Sequence, residues 1–171
     1  MELKSNLIEV LQGEDDLGVV IRSHIVVEQY LNSLIESRMA SVAHYQKIKM
    51  DYHGTVKLAI ALGLNPRFEK ALNVLGTLRN DFAHNLRPEI SLQDANNLYQ
   101  TLNSEDKQVL QKCLKKTLKQ LPDEDISQYQ ALKPKDKYIL NVIVICGALE
   151  TACRQILNNL SQEMQRSCAP D

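Results

Sequence analysis

Two side chains suited to phosphate and proton chemistry share the stretch Arg79-Asn80-Asp81-Phe82-Ala83-His84. A guanidinium holds phosphate or carboxylate oxygens in a bidentate way, and an imidazole exchanges protons near neutral pH. On an ideal helix His84 lies about 140° round from Arg79, so the two side chains diverge. Asn80, four residues before His84, is the one that shares its face. A site using both Arg79 and His84 would be shallow and near the helix end, or a second copy of the chain would complete it. The plainer reading is that a histidine near a helix C-terminus complements the dipole.

The element carrying Arg79 reads as a helix from Asn65-Pro66, an N-cap followed by an N1 proline, to about Asn85, ahead of Pro88. Steps of three and four link Phe68, Leu72, Leu75, Arg79, Phe82 and Leu86 on one face, with Arg79 the only charge. A run from Leu17 to Arg38 gives a second helix, opened by the carboxylates Glu14-Asp15-Asp16. Its corresponding row is Leu17, Ile21, His24, Glu28, Leu31 and Ile35, with His24 and Glu28 as the polar exceptions. A guanidinium buried without a partner costs several kcal/mol. The two helices are therefore expected to pack together, with Glu28 approaching Arg79. Alternatively, Arg79 lays its stem on the core and its head in solvent, with Glu28 at the rim.

The remaining punctuation is also helical. His44 to Met50 reads as a short helix or turn, and Tyr52 to Leu62 as a helix ended by Gly63. Ser91 opens a short helix to about Thr101, and Ser104-Glu105-Asp106 opens one to Gln120. Asp123 to Lys133 reads as a polar surface loop, and Pro134 to about Met164 as the last long helix. The β-branched runs Val19-Val20-Ile21 and Ile143-Val144-Ile145 lie inside long helical spacings, so length decides against strands. The expected fold is all-α: one domain over residues 1–171, a helical bundle of four to five main helices with short extras.

Composition excludes several classes. At 171 residues, 44% hydrophobic and 24% charged, the chain is neither a disordered tail nor a membrane protein by composition. The most apolar stretch, Tyr138 to Leu149, is interrupted by Asn141 and reads as too short to cross a bilayer. The N-terminus lacks a secretory signal pattern, so a cytoplasmic location with reduced thiols is expected. A net charge of −1 gives no global attraction to nucleic acid. Cys113, Cys146, Cys153 and Cys168 are not spaced for zinc, and Cys146 and Cys153 suit a shared core face. His44 and His53, with Tyr45 and Tyr52, read as surface structure, so no metal site is expected. Lys107, Lys112, Lys115, Lys116 and Lys119 read as a solvated helix face. No phosphate loop, nucleophile elbow or zinc-protease motif occurs, and no cofactor is implied.

Two segments, Thr55 to Leu64 and Leu78-Arg79-Asn80-Asp81-Phe82-Ala83-His84-Asn85, together with Glu28-Gln29-Tyr30-Leu31, resemble the family that includes the bacterial mannitol operon repressor. The resemblance covers roughly residues 15 to 100, with the helices of about 104–164 outside it. It implies an all-α regulator of transcription. Without a helix-turn-helix or a basic recognition helix, a protein partner fits that role better than direct DNA reading. The Arg-Asn-x-x-x-His arrangement is also similar to the HEPN superfamily of small, often dimeric helical bundles, some of them metal-independent ribonucleases. That similarity implies Arg79 on phosphate and His84 in acid–base work, on RNA, across a dimer. The tyrosine that the toxin subgroup carries two residues after the histidine is Leu86 here. The two expectations are thus a homodimeric interaction module, with Glu28, Arg79, Asn80, Asp81 and His84 as a structural or binding polar cluster, and a HEPN-type ribonuclease with Arg79 and His84 catalytic.

Overall fold

Capping chemistry sets where the helices begin and end. The computed structural model describes residues 7–85, 87–118 and 129–167. Its helices are α1 (Leu7–Gln12), α2 (Asp16–Arg38), α3 (Val42–Tyr45), α4 (Tyr52–Ala61), α5 (Glu69–Asn85), α6 (Leu92–Gln100), α7 (Ser104–Leu118) and α8 (Pro134–Ser167). No strand occurs among the described residues. Asp15 caps α2 by accepting from the Gly18 amide at 2.7 Å, and Asp51 does the same for α4 through Gly54 at 2.7 Å. Helix α4 ends as its glycine predicts. Gly63 sits at φ 115°, and the Leu64 and Gly63 amides return to the Ala59 and Ile60 carbonyls. That is the paired closure that satisfies orphan carbonyls at a helix end. Asn65 and Pro66 start a 3-10 turn, Pro66–Phe68, which leads directly into α5.

Helix α8, 34 residues long, packs against α1, α2, α6 and α7, while α2 packs against α4, α5 and α8. The β-branched runs of α2 and α8 are helical and largely buried, as their spacing requires. Cys146 and Cys153 lie in the same core. Within α8, Pro134–Asn159 is long and apolar enough, by length and composition, to cross a bilayer. This corrects the expectation that no stretch qualifies, because Asn141 does not interrupt the helix. Its amide donates to the Ala95 carbonyl at 2.9 Å, and the Tyr129 hydroxyl donates to its Oδ1 at 3.3 Å. Half of the most apolar window is buried inside the fold. Glu150 on the helix is likewise buried and accepts from the Tyr30 hydroxyl, whereas the buried Tyr138 hydroxyl has no hydrogen-bond partner among the described residues. The contacts of Asn141 and Glu150 are what a core helix of a bundle needs.

Two further expectations change. The polar loop expected from Asp123 to Lys133 lies outside the described residues as far as 128, but its end is anchored. Tyr129 is buried, stacked on Tyr99 with centroids 4.8 Å apart. Tyr45 and Tyr52 are not surface decoration either. Tyr45 is buried and donates to Asn32, and Tyr52 donates to the Leu72 carbonyl at 3.0 Å. Of the lysine row, Lys112 is exposed, but Lys107 is half-buried with its ammonium 4.8 Å from the Tyr99 ring centre.

The seating of Tyr52 fixes how closely α4 and α5 approach. A Cβ at Gly76 would come within 2.6 Å of two Tyr52 ring carbons, whereas a Cβ at Gly147 in α8 would meet nothing within 4 Å. Alanine should therefore have opposite effects at these two helical glycines. Gly147→Ala is expected to stabilise by about 0.5–1 kcal/mol through backbone entropy. Gly76→Ala is expected to destabilise by about 1–3 kcal/mol through overpacking. Urea denaturation midpoints of the two variants against the parent check both signs.

Candidate functional site

Helices α2 and α5 pack together, as the paired apolar rows require. The contact within the seam differs from the expected one. Glu28 meets His24, its own helix neighbour one turn back, with Oε2 3.4 Å from Nδ1. No ion pair joins Glu28 to Arg79 among the described residues. Arg79 is half-buried as a residue, and its guanidinium donates to the exposed Asn80 Oδ1 at 3.1 Å. Its charge still acts on His24.

The physical reason lies in how α2 is buried. Because it packs on several sides, its buried positions are Val19, Val20, Ser23, His24, Val26, Val27, Tyr30, Leu31, Leu34 and Ile35 rather than a single row. Leu17 is 45% exposed and Ile21 half-buried, so the N-terminal part of the expected row faces outward. His24 is only 5% exposed, while the Glu28 carboxylate remains 42% exposed. From α4, the Tyr52 ring lies against the imidazole with centroids 4.3 Å apart. Burial pushes the His24 pKa below the ordinary histidine value; Glu28 works against this and Arg79 adds to it. Burial also drives the Tyr52 hydroxyl well above its usual range, with a further push from Glu28. The seam therefore holds a neutral imidazole beside a neutral phenol near pH 7, with the charges of Glu28 and Arg79 on its wetter side.

The other predicted residues separate as helical geometry requires. Asn80 and His84 are both exposed and share a face, while Phe82 is buried. Among the described residues His84 has no hydrogen bond or ion pair. Asp81 lies 3.9 Å from Arg87. Arg87 is the residue that the sequence reading overlooked. It stands 5.2 Å over the Phe82 ring and grips Asp94 through both terminal nitrogens, at 2.5 and 3.3 Å. Asp94 also receives the Ser91 amide at 2.8 Å and hydroxyl at 2.6 Å, closing a capping box on α6. The signal was present as Ser91-x-x-Asp94, but the arginine reaches it across a proline-containing connection whose path the sequence does not state.

Two cavities lie near the motif, and one of them touches it at Asp81. A groove of about 670 Å³ runs between α7 and α8, and a cleft of about 310 Å³ between α5 and α6 includes Asp81 and Asp94. Neither is lined by Arg79 or His84. No family model, curated protein or solved structure matches the chain.

The Arg87–Asp94 pair carries a pH signature. Burial disfavours the Asp94 carboxylate, but hydrogen bonds from Arg87 and Ser91 and the Arg87 charge outweigh it, holding its pKa below the usual value. A depressed carboxyl contributes stability above the unfolded pKa, about 3.9, and loses it as pH falls through the folded one. Asp94→Asn should therefore reduce stability at neutral pH by about 1–3 kcal/mol. The gap from the parent should narrow as pH drops below about 4, which urea titrations at a series of pH values will measure.

Proposed function

We propose that the protein is a regulatory interaction module that acts as a homodimer in the cytoplasm, through protein contacts rather than chemistry. Transcriptional control through a protein partner, the role implied by the likeness to the mannitol operon repressor family, fits this reading. The observation that carries it is the separation of Arg79 from His84 within one chain. The guanidinium is tied to its neighbour Asn80, the His84 imidazole is exposed without a partner among the described residues, and neither lines the two cavities above. Neither of those cavities, among the described residues, brings the two side chains onto one substrate. The net charge of −1 gives no support for direct DNA reading.

What favours self-association is the outer edge of α2. Leu17 and Ile25 are 45% and 46% exposed, and with half-buried Ile21 they form a row at four-residue steps. A contiguous apolar row of this kind loses water contact when a second copy covers it. A specific observation favours the HEPN-type ribonuclease as the second reading. Asn80 turns the guanidinium toward the face that carries His84, and that imidazole is unengaged.

Sedimentation equilibrium tests the module. The parent should be dimeric, and Leu17→Glu with Ile25→Glu should weaken association at least about tenfold, which corresponds to about 1.4 kcal/mol, with the helical circular dichroism unchanged. A parent that stays monomeric at high concentration overturns the dimer. Incubation with single-stranded RNA and a chelator should leave the RNA intact. Cleavage that disappears in an Arg79→Ala, His84→Ala variant would instead establish the ribonuclease.

A further inference from the structure

We propose that the cleft between α5 and α6 receives an extended peptide segment of a partner protein, laid along α5 with a basic side chain at the Asp81 end and an acidic one at the Lys70 end. The proposal deepens the interaction-module reading and rests on it, since it names the kind of partner such a module takes. It is separate from self-association through the outer edge of α2, whose residues do not line the cleft.

Helical spacing builds one wall of the cleft. Steps of three and four residues place Lys70, Asn73, Thr77 and Asp81 in one row on α5, with Val74 and Leu78 in an apolar row beside it. All six line the cleft. From Lys70 to Asp81 the row rises roughly 16 Å, the reach of about five residues of extended chain. The one turn from Asn73 to Thr77 advances roughly 6 Å, close to the roughly 7 Å between every second residue of a strand. Carbonyls on one side of an extended backbone therefore meet the polar row at nearly its own interval.

The polar groups are left with the capacity that a peptide backbone needs. From α6, Asn97 lines the same cleft, and its Oδ1 accepts from the Gln93 side-chain amide at 2.6 Å. Across the cleft, Asn73 Oδ1 lies 3.3 Å from His53 Nδ1. Both oxygens are engaged within the chain, while neither carboxamide nitrogen has a hydrogen-bond partner among the described residues. Each therefore has N–H donors to offer a main-chain carbonyl. The two ends differ in charge. The Lys70 ammonium has no ion pair among the described residues, and the Asp81 carboxylate, 42% exposed, meets Arg87 only at 3.9 Å. Asp94, by contrast, is saturated by Arg87 and Ser91 and serves as wall. A nucleic-acid strand is disfavoured, because two carboxylates line the cleft against one lysine.

Amide nuclear magnetic resonance spectra of the labelled full chain, titrated with synthetic peptides up to millimolar concentration, test this. The probes are peptides of about five residues, blocked at both termini, with valine at the centre flanked by serines. They carry lysine at one end and glutamate at the other, in both chain directions, and a control carries lysine at both ends. The expected result is saturable shifts confined to the cleft with a mixed-charge peptide, and binding of the control at least about fivefold weaker. Lys70→Glu should reverse that order, and Asn97→Ala should weaken the mixed-charge peptide by about threefold to tenfold. The proposal is overturned if no mixed-charge peptide saturates, if the shifts fall outside the cleft, or if Lys70→Glu leaves the preference unchanged. Shifts of the same amides with protein concentration alone would assign the cleft to a second copy, and overturn it equally. A dimer that persists in sedimentation while no peptide binds removes this proposal alone, whereas RNA cleavage that depends on Arg79 and His84 removes the module reading whatever the peptides do.

Discussion

An apolar joint between two helices that must also hold an imidazole, a carboxylate and a guanidinium governs the rest of this structure. Unpaired, each of these groups would weigh against burial. The protein accommodates them by ranking their exposure. The group that can be neutral, His24, lies deepest, and the two permanently charged groups at pH 7, Glu28 and Arg79, lie nearer water. The ordering follows from desolvation, which disfavours charge and leaves a neutral imidazole comparatively unharmed. It also explains the place of Tyr52, whose ring covers the imidazole while its hydroxyl reaches the Leu72 carbonyl.

The helical elements were largely readable in the chain because their boundaries rest on local chemistry. Asp15, Asp51, Gly63, Asn65 and Ser91 each act within four residues of where they stand. The side-chain partners were less readable because they depend on how many neighbours a helix has. A single buried row assumes one packed face, and α2 has several. That is why Leu17 was expected inside and lies outside, and why Glu28 was expected against Arg79 and lies against His24. Pairing Arg79 with an acid on α2 identified the right two helices but not the imidazole that Glu28 meets instead. The motif residues Asn80, Asp81 and His84 fall on the helix turns that their spacing dictates. Arg87 was missed because its partner Asp94 is brought close by a turn that no periodicity describes.

A similar lesson comes from α8. Read as letters, Asn141 interrupts an apolar segment; in the fold it is the point where three elements meet, bonding Ala95 of α6 and Tyr129 of the preceding turn. A buried amide with its partners in place specifies register, because sliding the helix by one residue would strand all three groups at once. The polar residue therefore acts as an alignment pin within the apolar core.

The missing side chain at position 76 has a consequence for how this sequence can drift. The leucines along α5 can be exchanged for similar apolar residues with modest repacking, but residue 76 is bound to residue 52 by volume. A larger residue at 76 is tolerated only once the ring at 52 shrinks, and a smaller residue at 52 uncovers the imidazole of His24. The two positions are therefore free to change only as a pair, with the third helix as witness.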